Sequence, residues 1–405
     1  MIRSIATALL GILLSACTGV LQGATWTPPS LPESVDSRLV QASDQFGISL
    51  LKSVYAAKPG ENLFLSPTSA SVILSLTANG ARGETQQEML TSLGYAQMPL
   101  TEVNEATRAL QGLLANPDPK VELSIANAIW YQKGFEVDRS FRTVAAQQYG
   151  ARIAETTFGQ PEAAAAINRW VSDQTRGRIP KLLDETRPDD RMVLVNAIYF
   201  KGAWTEPFNK DRTHDRTFYK LDGSEKQVPF MHKTDTYGYL RQEGLTGVRL
   251  PYGKSGDLNL YVFMPDQWDG FMESLTPEQY QEWITTMGQQ RIQLALPKVK
   301  LTCQAELANP LTELGMGRVF DPNRADFSGI FTNSEQLYIS RVIQKTFLEI
   351  NEEGTEAAAA TGVIMVGTAA PTAAPPEVVL DHPFLLAIRD DRTGVTLFMG
   401  AVLEP

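Results

Sequence analysis

The chain has 405 residues, 43% of them apolar and 20% charged, a balance that suits a folded protein and not a disordered or fibrous one. Its formal net charge is −10, which argues against a nucleic-acid or heparin-like partner, since either needs a basic footprint. Two cysteines, Cys17 and Cys303, make no disulfide framework, and His214, His232 and His382 stand singly, without metal-ligand spacing, so no metal and no cofactor is expected.

The N-terminus reads as a targeting signal. Arg3 precedes an apolar stretch from Ile5 to Leu14, too short to stay in a bilayer as a span. Leu14-Ser15-Ala16-Cys17 then resembles a bacterial lipobox, in which Cys17 is lipidated and becomes the first residue of the mature chain. Residues 1–16 are accordingly expected to be a lipoprotein signal peptide, and 17–35, polar and proline-bearing, a flexible tether. The lipids would anchor the protein to the cell envelope after export across the inner membrane. Thr18, not aspartate, after the cysteine favours the outer membrane or cell surface.

Leu39, Ala42, Phe46, Leu50 and Val54 recur at helical spacing. Leu63-Phe64-Leu65 is a short strand ended by Ser66-Pro67, and Ser69 is placed to cap the next helix, whose apolar face holds Val72, Ile73 and Leu76 and which Gly80 and Gly83 end. Met192 to Phe200 is a continuous apolar run that predicts a strand buried on both faces, and Asn196 within it must find hydrogen-bond partners. Leu258–Met264, Ile292–Leu301 and Val395–Val402 read as strands, and Asp390-Asp391-Arg392-Thr393-Gly394 as a hairpin turn. No repeat or internal linker interrupts residues 36–405, which predicts one α+β domain.

Gly354 to Pro376 differs from the rest. Small residues dominate it, charge is nearly absent, and it lies between two strand-like segments. By composition alone it is an exposed linker, yet long loops inside compact domains are usually functional or disordered.

Along nearly its whole mature length the sequence resembles the serpin family. The resemblance is carried by Asn62-Leu63-Phe64-Leu65-Ser66-Pro67-Thr68-Ser69 and by Asn79-Gly80-Ala81-Arg82-Gly83-Glu84-Thr85. It continues through Leu194-Val195-Asn196-Ala197-Ile198-Tyr199-Phe200-Lys201-Gly202-Ala203-Trp204, Leu250-Pro251-Tyr252 and Ala325-Asp326-Phe327-Ser328-Gly329-Ile330. Glu352-Glu353-Gly354-Thr355-Glu356-Ala357-Ala358-Ala359-Ala360 and Asp381-His382-Pro383-Phe384 complete it. It implies the serpin fold: a single large domain with three β-sheets, about nine helices and an exposed reactive-centre loop over 354–376.

The resemblance also implies a mechanism. A protease attacks the loop and forms an acyl-enzyme; the cleaved loop inserts into the central sheet, and the protease is distorted before it deacylates. The partner is then a target protease, serine and also cysteine, held covalently by a monomer. The membrane is touched only through the lipid. The hinge would be Gly354, Thr355, Glu356, Ala357, Ala358, Ala359 and Ala360. Strand alternation puts Thr355, Ala357 and Ala359 on one face and leaves Glu356 on the other, and no proline occurs from Thr355 to Ala370. Ser66, Ser69, Asn196 and Gln344 match the family's shutter, with Gln344 where the family usually has histidine; Trp204, Lys298 and Glu352 match its breach. The family register puts the reactive bond at Thr368-Ala369, with Met365-Val366 the alternative. Lys and Arg are absent from the loop, which points to an elastase- or subtilisin-like target.

Two rival classes, an enzyme and a non-inhibitory serpin, would leave their own marks in the sequence. No Gly-x-Ser-x-Gly, His-Glu-x-x-His or Gly-x-Gly-x-x-Gly motif supports an enzyme, and Gly253-Lys254-Ser255 lacks the first glycine of a phosphate loop, Val248 standing in its place. A non-inhibitory serpin, acting as a binding or chaperone module, tends to carry bulky, charged or proline residues in the hinge; this hinge has none of the bulky or proline kind, and its lone charge, Glu356, also occurs in inhibitory members.

Overall fold

The computed structural model describes residues 34–115, 117–332, 337–355 and 374–405. The lipobox Cys17, hinge residues Glu356 to Ala360 and both candidate reactive bonds lie outside them. In chain order the elements are α1 (Ser37–Ala57), β1 (Leu63–Leu65), α2 (Pro67–Gly80), α3 (Gly83–Ser92), α4 (Leu100–Leu114), β2 (Val121–Gln132), α5 (Arg139–Gln148), β3 (Arg152–Thr156), α6 (Pro161–Gln174) and β4 (Met192–Ala203). Then come β5 (Thr213–Tyr219), β6 (Glu225–Gln242), β7 (Leu245–Tyr252), β8 (Leu258–Pro265), α7 (Phe271–Ser274), α8 (Pro277–Thr286), β9 (Gly288–Pro297), β10 (Val299–Glu306) and α9 (Ala308–Leu311). The chain closes with β11 (Ile339–Asn351), β12 (Gly354–Thr355), β13 (Glu377–Val379), β14 (Phe384–Asp390) and β15 (Val395–Val402).

The predicted face of α1, Leu39 through Val54, is buried, and Asp36 caps the helix by accepting from the amide of Arg38 at 2.9 Å. α2 is buried almost all round, so it lies inside the molecule, where the sequence predicts a one-sided helix. Its cap is Ser66, whose Oγ accepts from the amide of Ser69 at 3.2 Å; Pro67 fills the first helical position, and Ser69, expected as the cap, is already inside the helix. Gly80 closes α2 as expected, whereas Gly83 opens α3.

The central six-stranded sheet runs β10-β11-β12-β4-β2-β3. β2 and β4 are antiparallel, β4 and β11 parallel from Met192/Ile339 to Ile198/Thr346, and β10 closes antiparallel on β11. A second, nine-stranded sheet joins what the resemblance separates into two: the 18-residue β6 pairs with β5 over residues 225–231, with β9 over 230–239 and with β7 over 238–242. The expected strand Ile292–Leu301 is two strands in different sheets, β9 and β10, with Lys298 at the join. The Asp390–Gly394 hairpin forms between β14 and β15. Buried apolar side chains fill the space between the sheets and α1 and α2.

Candidate functional site

Two groups of the singled-out residues meet along one line, the seam between β4 and β11. In the lower part of that seam Asn127 of β2, Asn196 of β4 and Gln344 of β11 occupy one rung across three neighbouring strands. Asn196 Nδ2 donates to Asn127 Oδ1 at 2.6 Å, to the Ser69 carbonyl at 3.3 Å and to Ser69 Oγ. Gln344 Nε2 donates to Asn196 Oδ1 at 2.6 Å and to the Ser66 carbonyl at 2.9 Å, while its Oε1 accepts the Ser66 amide at 2.8 Å. Ser66 Oγ continues the chain to the Leu397 carbonyl at 2.6 Å. All of these side chains are buried, and the network answers the sequence's demand that a buried amide be paired. Ser66, Ser69, Asn196 and Gln344 are thus brought together, and Asn127 joins them. Its signal is the same one that marks Asn196: a lone amide in an apolar strand, here Ile125-Ala126-Asn127-Ala128-Ile129.

At the upper end the seam is open. Beyond Thr346 and Ile198 the two strands part, and Gly354–Thr355 enters between them as β12, antiparallel to both. The loop, expected to be exposed from its first residue, therefore begins inside the sheet, with Thr355 1% exposed. Glycine is required here. Gly354 has φ +141°, and a Cβ on it would stand 2.0 Å from the Gly202 carbonyl oxygen.

Trp204 closes this end. Its Nε1 donates to the Asn351 carbonyl and its backbone amide to the Glu353 carbonyl, both at 2.9 Å. Its ring stacks on Tyr252 at 4.4 Å. Lys298, at the join of β9 and β10, reaches Glu352 Oε2 at 2.9 Å and Oε1 at 3.2 Å, and Thr213 donates to the same carboxylate at 2.8 Å. Burial pushes the Glu352 carboxyl up, but Lys298, a backbone amide and Thr213 outweigh it and hold the group below its ordinary value. Lys210 pairs with Glu353 at 2.5 Å. Trp204, Lys298 and Glu352 are brought together at this end of the seam; Thr213 and Lys210, which join them, carry no sequence signal.

Beyond the loop, Pro375 and Pro376 are held by Gln293, from Nε2 and backbone N at 2.8 and 2.9 Å. β13 then pairs parallel with β9, and Arg216 binds Glu377 at 2.8 Å. The segment 354–376 is therefore fixed at both ends, by the central sheet and by β9. Among the described residues no group of three His, Cys, Asp or Glu side chains is arranged to hold a metal ion.

Comparison with known proteins gives the arrangement a context. The family model described as "Serpin (serine protease inhibitor)" matches residues 41–405. Plasminogen activator inhibitor 1 from Neovison vison is 33% identical over 383 residues, spanning 91% of this chain and 94% of its own. Iripin-2 from Ixodes ricinus is 34% identical over 381 residues, with the same shares. Among solved structures, the native state of the thermophilic protein tengpin superposes with a TM-score of 0.85 at 31% identity, covering 92% of this chain and 95% of that one. Human thyroxine-binding globulin complexed with its hormone superposes with a TM-score of 0.84 at 28% identity, covering 91% and 98%.

Proposed function

The chain belongs to the serpin family, and from that premise we propose that it is an irreversible, single-use inhibitor of serine proteases. One observation carries the reading: Gly354–Thr355 already lies as an antiparallel strand between β4 and β11, so the path along which a cut loop would continue is built and aligned. The protease cleaves the loop and is held as an acyl-enzyme. The strand then lengthens from Thr355 down the β4–β11 seam, and the attached protease is carried to the far end before water releases it. Trp204, Lys298 and Glu352 hold the entry; Ser66, Ser69, Asn196 and Gln344 form the gate further down. The native fold is metastable on this account, kept by a barrier and not by its energy.

The target is elastase- or subtilisin-like. Over Val363 to Ala370 the loop offers only apolar and small side chains. A trypsin-like pocket would be left with an unpaired buried carboxylate, whereas a small apolar pocket accepts Thr368 or Val366 without that penalty. A cut at Met365 would shorten the tether by three residues, about 10 Å. Cys17, lipidated, would hold the monomer at the cell envelope, with residues 17–35 as its tether and no contact with nucleic acid. Cysteine proteases form acyl-enzymes as well and fall within the same reading.

The test is to mix the chain with elastase- and subtilisin-like proteases and with trypsin, look for SDS-stable complexes, and weigh the released C-terminal fragment by mass spectrometry. Cleavage at Thr368-Ala369 or within three residues is expected. Efficient trapping of trypsin overturns the target class. Cleavage by every protease without any stable complex turns the reading to the non-inhibitory class, in which a globulin complexed with a hormone keeps this fold at 28% identity.

A further inference from the structure

Tyr252, at the end of β7, is fully buried, and its hydroxyl meets Thr355 Oγ1 at 2.6 Å. The contact joins one sheet to the slot of the other, where Tyr252 also forms an antiparallel bridge with Trp204. The ring is held from two directions, stacked on Trp204 at 4.4 Å and edge-on to Phe200 at 5.2 Å. It lies close under β4 because position 202 is glycine: a Cβ there would stand 2.9 Å from the tyrosine ring and 2.8 Å from Phe200. Gly202 is also the residue that pairs with Thr355. Burial pushes the phenol up, so it keeps its proton and can donate or accept.

We propose that Tyr252 is the positioning residue for loop insertion: its hydroxyl receives the hydroxyl of Thr355 and sets the register in which the rest of the strand enters. Resting on the inhibitor reading above, this adds the step that decides where insertion starts. Register matters because the side chains of a strand alternate with period two, and a slip of one residue reverses every face. Shifted by one, the chain would present the Glu356 carboxylate where Thr355 now sits, in a buried site whose partners for it are the Tyr252 hydroxyl and the strands at Gly202 and Ile350. A hydroxyl that must be satisfied favours Thr355 over its neighbours, since Ala357 offers the phenol no partner and Glu356 could accept from it only by burying a carboxylate. Once β12 is seated, each following residue has one place to go.

The experiment uses the full chain with an elastase- or subtilisin-like protease that the wild type traps, and four variants: Tyr252→Phe, Thr355→Val, the double variant, and Thr355→Ser. Removing one hydroxyl orphans the other, which shifts the docking equilibrium roughly ten-fold or more. Each single variant is expected to raise the number of inhibitor molecules consumed per protease trapped. The double variant, with neither group orphaned, should recover toward wild type, and Thr355→Ser should match it. Hydrogen exchange of the Gly354 and Thr355 amides, read without any protease, should quicken in each single variant and slow again in the double. Single variants with wild-type consumption and exchange, or a double variant showing the plain sum of the singles, overturn the proposal while leaving the inhibitor reading intact. A wild type that traps no protease overturns the inhibitor reading, and the exchange rates still decide whether Tyr252 seats the strand.

Discussion

Gln344 and Asn196 face each other across the parallel β4–β11 seam, and the side-chain amide of the first donates to the side-chain oxygen of the second at 2.6 Å. Any strand that enters the sheet below Thr346 must pass between them, so the bond that fills the interior also bars the way. Gln344 does this without a titratable proton, and the gate itself should not respond to pH near neutrality.

Asn196→Ala removes the middle of the three-amide rung and orphans buried groups on both sides. Stability should fall by about 2–4 kcal/mol, read as a lower denaturant midpoint, and the seam should open more readily. An unchanged midpoint would show that the rung contributes nothing to holding the sheet closed.

Thr355→Arg places a charge in a slot where the present side chain is 1% exposed. The cost is several kcal/mol in a dry site, enough to expel β12 and slow insertion. The variant should be cleaved as a substrate, with little stable complex on a denaturing gel. Undiminished complex would contradict the insertion path.

Cleavage within the reactive loop should raise the thermal midpoint. Full insertion adds roughly a dozen ladder hydrogen bonds at about 1 kcal/mol net each. Calorimetry of intact and cleaved protein decides it, and equal midpoints would point to the non-inhibitory class.

Asp44 of α1 lies buried beside Arg389, with Thr396 Oγ1 donating to it at 3.1 Å and Gln281 on its other oxygen. Burial pushes its carboxyl up to about 6, against the pull of Arg389. The folded value lies above the unfolded one, so the stability this group contributes is complete below pH 4 and is lost as pH rises through about 6. The loss is on the order of 3 kcal/mol between those limits. Asp44→Asn should flatten the dependence of the urea midpoint on pH between 4 and 7. An equal slope in wild type and variant would refute the assignment.

Cys17→Ala should move the protein from the membrane to the soluble fraction when the full chain is expressed in a bacterium. Equal membrane association of the two would remove the lipid anchor from the picture.

Much of this is legible in the amino-acid order, and the failures have physical causes. The stripe Leu39 to Val54 and the run Met192 to Phe200 are read correctly because their burial is simple, one face or both. α2 misleads because its hydroxyl residues do not mark a wet face: Thr68 bonds the Thr396 carbonyl at 2.6 Å and Thr77 the Ile73 carbonyl at 2.8 Å, satisfied inside the core. The strand expected over Ile292–Leu301 fails at Pro297-Lys298, where a residue without an amide hydrogen ends one ladder and the chain crosses to another sheet. Asn196 and Glu352 announce themselves as polar groups in places that demand partners. Tyr252 and Thr213 meet their partners only through tertiary folding, and no local pattern carries that.

The direction of β12 has a mechanical consequence. The seam it enters is the parallel one, β4 against β11, secured by seven register pairs, and parallel pairing is slightly weaker per residue than antiparallel. β12 runs against both neighbours, so each residue that advances trades one parallel contact for two antiparallel ones. On the inhibitor reading each step downward would therefore be harder to reverse than to take, and the sheet would act as a ratchet whose teeth all lean one way.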